Sequence, residues 1–368
     1  MPAVTAPTPW PAAPPEDSGF APDLEARLDA GIRSGLLRDL HAVLVVAQGR
    51  VVLERYWDGE DESWGYPLGQ VRFGPEVLHD LRSVTKSVVG LLYGAALARG
   101  QVPPPEAPLL AQFPEHADLA GDPARAAMTV GHALTMSLGL DWDETRPYTD
   151  PENSEIAMER APDRVRFILE RPVVATPGSR WTYSGGAAAL IGALIVRGTG
   201  MALPEFAREA LFAPLGIGHF EWTTGEDGVA SAASGLRLTA PDLARIGQLV
   251  LDGGHPGARW GGWWGGGIGE GQVVPAAWLE DSLRPALATG EGLDYGRLWF
   301  LGTAPVPAFP DGPQRWAGGF GNGGQRLFLM PSAGLCAVIF SGAYNHPDAW
   351  ITPTRIWREI LLANLLSI

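Results

Sequence analysis

The chain is expected to be an α+β protein, with a mainly antiparallel sheet flanked by helices and a helical domain inserted between the sheet's two halves. Three observations point there. Two β-branched runs flank Gln48-Gly49 near the start, and two apolar runs flank Pro331–Gly334 near the end. Between them lie mostly helical pieces with capping residues. That order places residues 21–80 and 285–368 in one sheet domain and residues 81–284 in a mainly helical one.

Residues 1–20 are rich in Pro and Ala and are expected to form a disordered or loosely packed arm. "APDLEARLDAGIRSG" reads as a short amphipathic helix ending near Gly35. "HAVLVVAQGRVVLERYW" is a hairpin turning at Gln48-Gly49. "SVTKSVVGLLYGAALARG" is apolar and small for four turns and stops at Gly100. "TAPDLARIGQLVLDGG" opens on Thr239 as N-cap, has Pro241 in its first turn and ends at Gly253. "GGHPGARWGGWWGGGIGEG", residues 253–271, reads either as a surface loop insertion or as a lid over an apolar substrate. "QRLFLMPSAGLCAVIFSG" is a second hairpin, and "TPTRIWREILLANLLSI" a closing helix with Thr352 as its cap.

The totals exclude several functions. The formal net charge is −14 and the arginines are scattered, which argues against nucleic acid and against an anionic membrane surface. No run of 18 apolar residues predicts a membrane span. The N-terminal stretch has neither the basic nor the apolar region of a secretory signal, so a cytoplasmic location is expected. The single cysteine, Cys336, lies in an apolar run and is expected to be a buried thiol.

Lys86 is the only lysine; the other 26 of the 27 basic residues are arginine. It stands three residues after Ser83, and positions i and i+3 share a helix face. A serine hydroxyl is a weak nucleophile until a base takes its proton. A desolvated lysine can be that base, whereas arginine stays protonated. A helix opening at Ser83 would also offer free backbone N–H groups to an oxyanion. The bland alternative is a surface lysine, but Lys86 sits among small apolar residues.

Downstream, "TPGSRWTYSGG" places Tyr183 between a Pro-Gly turn and an apolar helix, and "GGFGNGGQRLFLMP" places a glycine-rich approach before a strand. Together with Ser-x-x-Lys, these resemble the three motifs of the penicillin-recognising serine hydrolases. Within that group the chain is similar to the class C β-lactamase branch, nearest the 6-aminohexanoate-dimer hydrolases and related esterases. Seven stretches carry the likeness in family order, from about residue 25 to 365.

The resemblance implies a β-lactamase/transpeptidase-like fold and hydrolysis of a small amide or ester through an acyl-enzyme. Ser83 would be the nucleophile, Lys86 its base and Tyr183 a proton relay. The backbone N–H groups of Ser83 and Gln325 would form the oxyanion hole. Asn322, Gly323 and Gly324 would line the substrate site, and Tyr148, in a loop the family keeps beside its pocket, would contact substrate. No metal or organic cofactor is implied, and homodimerisation is left open. Two departures matter: Tyr183-Ser184-Gly185 replaces Tyr-x-Asn, and Asn322-Gly323-Gly324 replaces Lys-Thr-Gly. Both missing groups help hold a β-lactam. A β-lactamase or D-Ala-D-Ala carboxypeptidase is therefore the second reading, and an inactive binding protein on this fold the third.

Other signals fail on context. Gly319–Gly324 fits G-x-G-x-x-G but precedes a strand instead of a helix. No G-x-S-x-G occurs, and the seven histidines show no metal-ligand spacing. His132 is expected to cap or pack a helix. "DWDETRPYTDPENSE" is acidic enough to suggest a cation site.

Overall fold

The computed structural model describes residues 10–225, 227–257 and 271–368. The first hairpin joins Leu40–Ala47 (β1) to Arg50–Tyr56 (β2) through Gln48 and Gly49, at φ 51° and 74°. Two left-handed residues in so short a loop match the twist of the strands they connect. Asp58–Ser63 (β3) and Tyr66–Arg72 (β4) form a hairpin of their own that the sequence reading did not foresee. His79–Asp80 (β5), Glu221–Trp222 (β6) and Leu236–Leu238 (β7) make a small sheet at the mouth of the site.

The remaining strands are Leu287–Ala288 (β8), Asp294–Tyr295 (β9), Phe300–Ala304 (β10), Gln314–Gly321 (β11), Gln325–Met330 (β12) and Leu335–Ser341 (β13). The main sheet runs β2-β1-β13-β12-β11-β10-β9-β8, antiparallel throughout. Its two contributions meet where β1 pairs β13, with Val43 opposite Ile339. Both chain ends thus build one sheet, as the order of strand signals implies.

β1 and β13 are buried on both faces, which is why they read as continuous apolar runs instead of alternating ones. Val43, Val45, Ala337 and Ile339 point into a core shared with helix Leu24–Arg33 (α1) and the C-terminal helical segment. Ala42, Leu44, Val46, Val338 and Phe340 point into the larger core with the central helices. Those helices include Val84–Ala98 (α2), Gly185–Thr199 (α5) and Ala240–Leu251 (α6). The short helices Val130–Leu134 (α3) and Ser154–Glu159 (α4) precede α5. Thr239 caps α6 as expected, accepting from Asp242 N at 3.1 Å.

Two details differ from the sequence reading. The last helix begins at Ile351 after Trp350, not at Thr352, because the Thr352 hydroxyl accepts from Arg38 N at 3.2 Å. Residues 11–20, placed in the loose arm, lie against the sheet and the C-terminal segment: Ala12 bridges Val51 and Phe20 bridges Leu365. Cys336 is buried as expected, with its thiol pushed up by that burial. The lid or loop reading of residues 253–271 falls mostly on residues 258–270, outside the described ones. Among the described residues no single helix is long and apolar enough to cross a membrane.

Candidate active site

Ser83 sits at the N-cap of α2, and its hydroxyl caps nothing. The preceding residue, Arg82, takes φ 47°, an uncommon conformation for a residue with a side chain. Asp80 holds that turn: one carboxylate oxygen accepts from Arg82 N at 3.0 Å, the other from Trp64 N at 2.6 Å. Leu81 N donates to Leu236 O of β7 at 3.0 Å. A tight turn pinned on two sides thus presents the serine.

Glycines in β11 let the sheet approach that turn. A Cβ at Gly321 would run into the Leu81 carbonyl and lie 3.0 Å from Arg82 Cβ. One at Gly319 would lie 3.0 Å from Ser87 Oγ and 3.1 Å from Val84 Cγ1. The glycine run that imitates a nucleotide motif is therefore explained by close packing of strand on helix.

Lys86 lies one turn along α2, with 2 % of its surface exposed. Its ammonium donates to Ser83 Oγ at 2.9 Å, to Ala233 O at 2.9 Å and to Glu155 Oε2 at 3.3 Å. The Tyr183 ring centroid is 4.9 Å away. Tyr183 thus stands beside the ammonium, close enough for the two groups to shift each other's protonation. So Ser83, Lys86 and Tyr183, expected together, are together.

The charge state of Lys86 is not what burial alone would set. Desolvation pushes it down, but the charges of Glu155, Tyr183 and Glu144 outweigh that and hold it above its ordinary value. At rest it is an ammonium. Tyr183 is raised as well, by burial first, with Lys86 opposing. Burial and the neighbouring Glu155 push Glu144 up to about 7.

Glu155 and Glu144 both come from the stretch whose acidity suggested a cation site. The cation they face is Lys86. Asn153 caps α4 and fixes its first turn, accepting from Glu155 N at 3.0 Å. The second Glu155 oxygen accepts from Ser234 Oγ at 2.9 Å, and Ser234 in turn accepts from Trp64 Nε1 at 2.9 Å. Glu144 accepts from Trp142 Nε1, from Tyr148 OH at 2.9 Å and from Gly185 N. Of these partners the sequence singled out Tyr148 as a substrate contact and Gly185 as a departure from the motif; Asn153, Ser234, Trp64 and Trp142 carried no signal of their own.

A cavity of about 360 Å³ opens over the serine, with Ser83, Arg82, Tyr148, Glu155 and Asn322 on its wall. Tyr148 and Asn322, expected to contact substrate, thus lie on the same cavity wall as Ser83. Asn322 is also tied to a neighbouring loop, its amide oxygen accepting from Asn345 N at 2.8 Å. Gly323 and Gly324 are not on that wall; at φ 84° and 96° they make the turn between β11 and β12. The Gln325 side chain is turned into the sheet, exchanging hydrogen bonds with the Ser341 backbone, and the residue is buried opposite Gly321, off the cavity wall. The Ser83 N–H has no acceptor among the described residues.

A second polar cluster lies beneath the turn. His41 Nδ1 and His79 Nε2 are 2.9 Å apart, and Asp61 is 3.9 Å from His79 Nε2. The three could surround an ion, but the hydrogen bond between the rings uses the lone pair that an ion would need. His132, as expected, is structural: it forms a capping box with Thr129 at the start of α3.

Known proteins share this arrangement's frame. Over 94 % of its length the chain is 27 % identical to 80 % of the 6-aminohexanoate-dimer hydrolase of Paenarthrobacter ureafaciens. Over 54 % of its length it is 29 % identical to 51 % of Esterase EstB of Burkholderia gladioli. A solved Bacillus anthracis structure assigned as a 6-aminohexanoate-dimer hydrolase superposes with a TM-score of 0.68 at 21 % identity, covering 91 % of this chain and 80 % of that one. The model of the family described as Beta-lactamase matches residues 33–358, and the chain belongs to that family.

Proposed function

We propose that the protein is a serine hydrolase that cleaves a small amide or ester through an acyl-enzyme on Ser83. One observation carries this reading. A buried lysine, the only one in the chain, donates to the hydroxyl of a serine at a helix start, on the wall of a cavity. The hydrolase and esterase names of the two relatives support it.

In the proposed reaction Ser83 Oγ attacks the substrate carbonyl carbon. Its proton passes to Lys86 in the neutral form, with Tyr183 relaying it to the departing amine or alcohol. The Ser83 and Gln325 N–H groups hold the oxyanion. Water then attacks the acyl-serine, the carboxylic acid leaves, and Ser83 regains its proton. Asn322 and Tyr148 contact the substrate from the cavity wall. Because Lys86 rests as an ammonium, the reactive enzyme is a minority form near neutrality.

The β-lactamase reading is weaker here because Gly185 and Asn322 replace the groups that hold a lactam. A cytoplasmic location belongs to the same proposal, supported by the lone buried cysteine; cell fractionation tests it. The deciding experiment is a panel of short-chain p-nitrophenyl esters, a chromogenic cephalosporin, a D-amino acid dipeptide and the 6-aminohexanoate dimer, run with wild type and Ser83→Ala. Ester or dimer hydrolysis lost in Ser83→Ala is the expected result. Activity surviving that change, or lactam turnover matching ester turnover, overturns the proposal.

A further inference from the structure

Position 185 has no side chain, and the structure shows what uses the space. A Cβ there would collide with Glu155 Oε2 and sit 2.8 Å from Glu155 Cδ. The three nearest atoms all belong to Glu155, so the glycine at the start of α5 leaves room for that side chain. The carboxylate is held at both ends: Oε1 by Ser234, backed by Trp64, and Oε2 by Lys86. Its backbone is fixed by the Asn153 cap. Glu155 therefore has little freedom, and the lysine it holds is the one that touches Ser83.

We propose that Glu155 is a positioning residue of this active site, filling with its carboxylate the volume left by Gly185 and clamping Lys86 Nζ onto Ser83 Oγ. The inference rests on the serine-hydrolase reading above. It gives the departure at Gly185 a physical meaning: the amide that the family motif places on α5 is exchanged for a carboxylate from α4. The lysine keeps a polar partner on that side, now a charged one. A charge-assisted bond, at 3.3 Å, thus stands where the motif has a neutral one.

The same contact sets the pH response. The titratable groups facing Lys86 are Glu155 from α4, Glu144 from the loop before it and Tyr183 ahead of α5. Behind them stand Tyr148, Tyr295 from β9 and Arg326 from β12, which feel the charges of Glu144 or Tyr183. Glu155 is the largest of the charges that keep Lys86 protonated. Removing that charge while keeping its hydrogen bond makes neutral Lys86 easier to form.

Four proteins test the proposal: Glu155→Ala, Glu155→Gln, Gly185→Asn, and Gly185→Asn combined with Glu155→Ala. The readouts are ester kcat and KM across pH, the rate of fluorophosphonate labelling, and the melting temperature. Glu155→Ala is expected to lower kcat about 100-fold, the size of loss that a misplaced catalytic group brings. KM should change little. Glu155→Gln should keep activity, with the acid limb of kcat/KM moved to lower pH. Gly185→Asn alone should be impaired by collision with Glu155, and the double variant should be more active than either single one. Glu155→Ala within threefold of wild type overturns the proposal, as does a double variant no better than Glu155→Ala, or a Glu155→Gln profile unmoved on the pH axis. Ser83→Ala separates the two ideas: if it remains active, the hydrolase reading itself fails, whatever Glu155 does.

Discussion

Lys86 Nζ donates to Ser83 Oγ at 2.9 Å, from a position one helical turn further along α2. The contact follows from i to i+3 geometry, but its charge state does not. Burial would free a base, and the surrounding carboxylates instead keep an ammonium. A group held above its ordinary value loses its proton only at higher pH. Ester kcat/KM is therefore expected to rise with pH through neutrality and into the alkaline range, with no plateau at pH 7. A profile flat from pH 6 to 9 contradicts Lys86 as the base. Lys86→Arg should abolish acylation and leave the circular dichroism spectrum unchanged.

Tyr183 contributes both a ring and a hydroxyl. The ring lies 4.9 Å from the ammonium and stacks on Phe300, with centroids 6.1 Å apart. Tyr183→Phe keeps those contacts and removes the proton relay. Fluorophosphonate labelling is expected to slow about 100-fold or more, the usual weight of a general acid–base group. The melting temperature should stay within about 3 °C of wild type, since the ring packing is kept and a single hydroxyl is worth roughly 1 kcal/mol. Labelling at the wild-type rate excludes a relay at Tyr183.

Gly321 faces backbone and not a yielding side chain. Gly321→Ala must push β11 off the Leu81–Ser83 turn or bend that turn. A loss of about 1–3 kcal/mol is expected, as for other overpacked sites. Denaturant melts measure it. Because the turn carries Ser83, labelling should slow even at temperatures where the variant is fully folded. A variant as stable as wild type contradicts the close approach.

His41 and His79 are pushed down by burial, to about 4 and about 3. Below pH about 6.5 the unfolded chain binds protons there that the folded chain refuses. Stability from this pair is therefore present above pH 6.5 and falls as pH drops toward 4. Melting temperatures at pH 7, 6, 5 and 4 should show a smaller fall for His79→Gln than for wild type. Equal slopes contradict buried neutral histidines.

The linear order of residues was enough for the main sheet and for bringing Ser83, Lys86 and Tyr183 forward as a candidate trio. Strand periodicity, the Gln48-Gly49 and Pro331–Gly334 turns and the helix caps are local signals, each readable within a few residues. Ser83 and Lys86 lie within a single turn, so their contact needs only a helix. Tyr183 and the Asn322–Gly324 turn became legible through the order of motifs.

What the sequence left open depends on contacts across the chain. Glu155 reaches Lys86 across 69 residues, and Gly185 makes sense only once Glu155 is seen beside it. His41, Asp61 and His79 have no telling spacing, yet converge because β1, β3 and β5 lie side by side in space. The acidic loop announced a cation without saying which. Periodicity records which face of an element is buried, and motif order records the family. The charge on a buried lysine depends on which groups the completed fold brings within a few ångströms, because desolvation and ion pairing act through space and not along the chain.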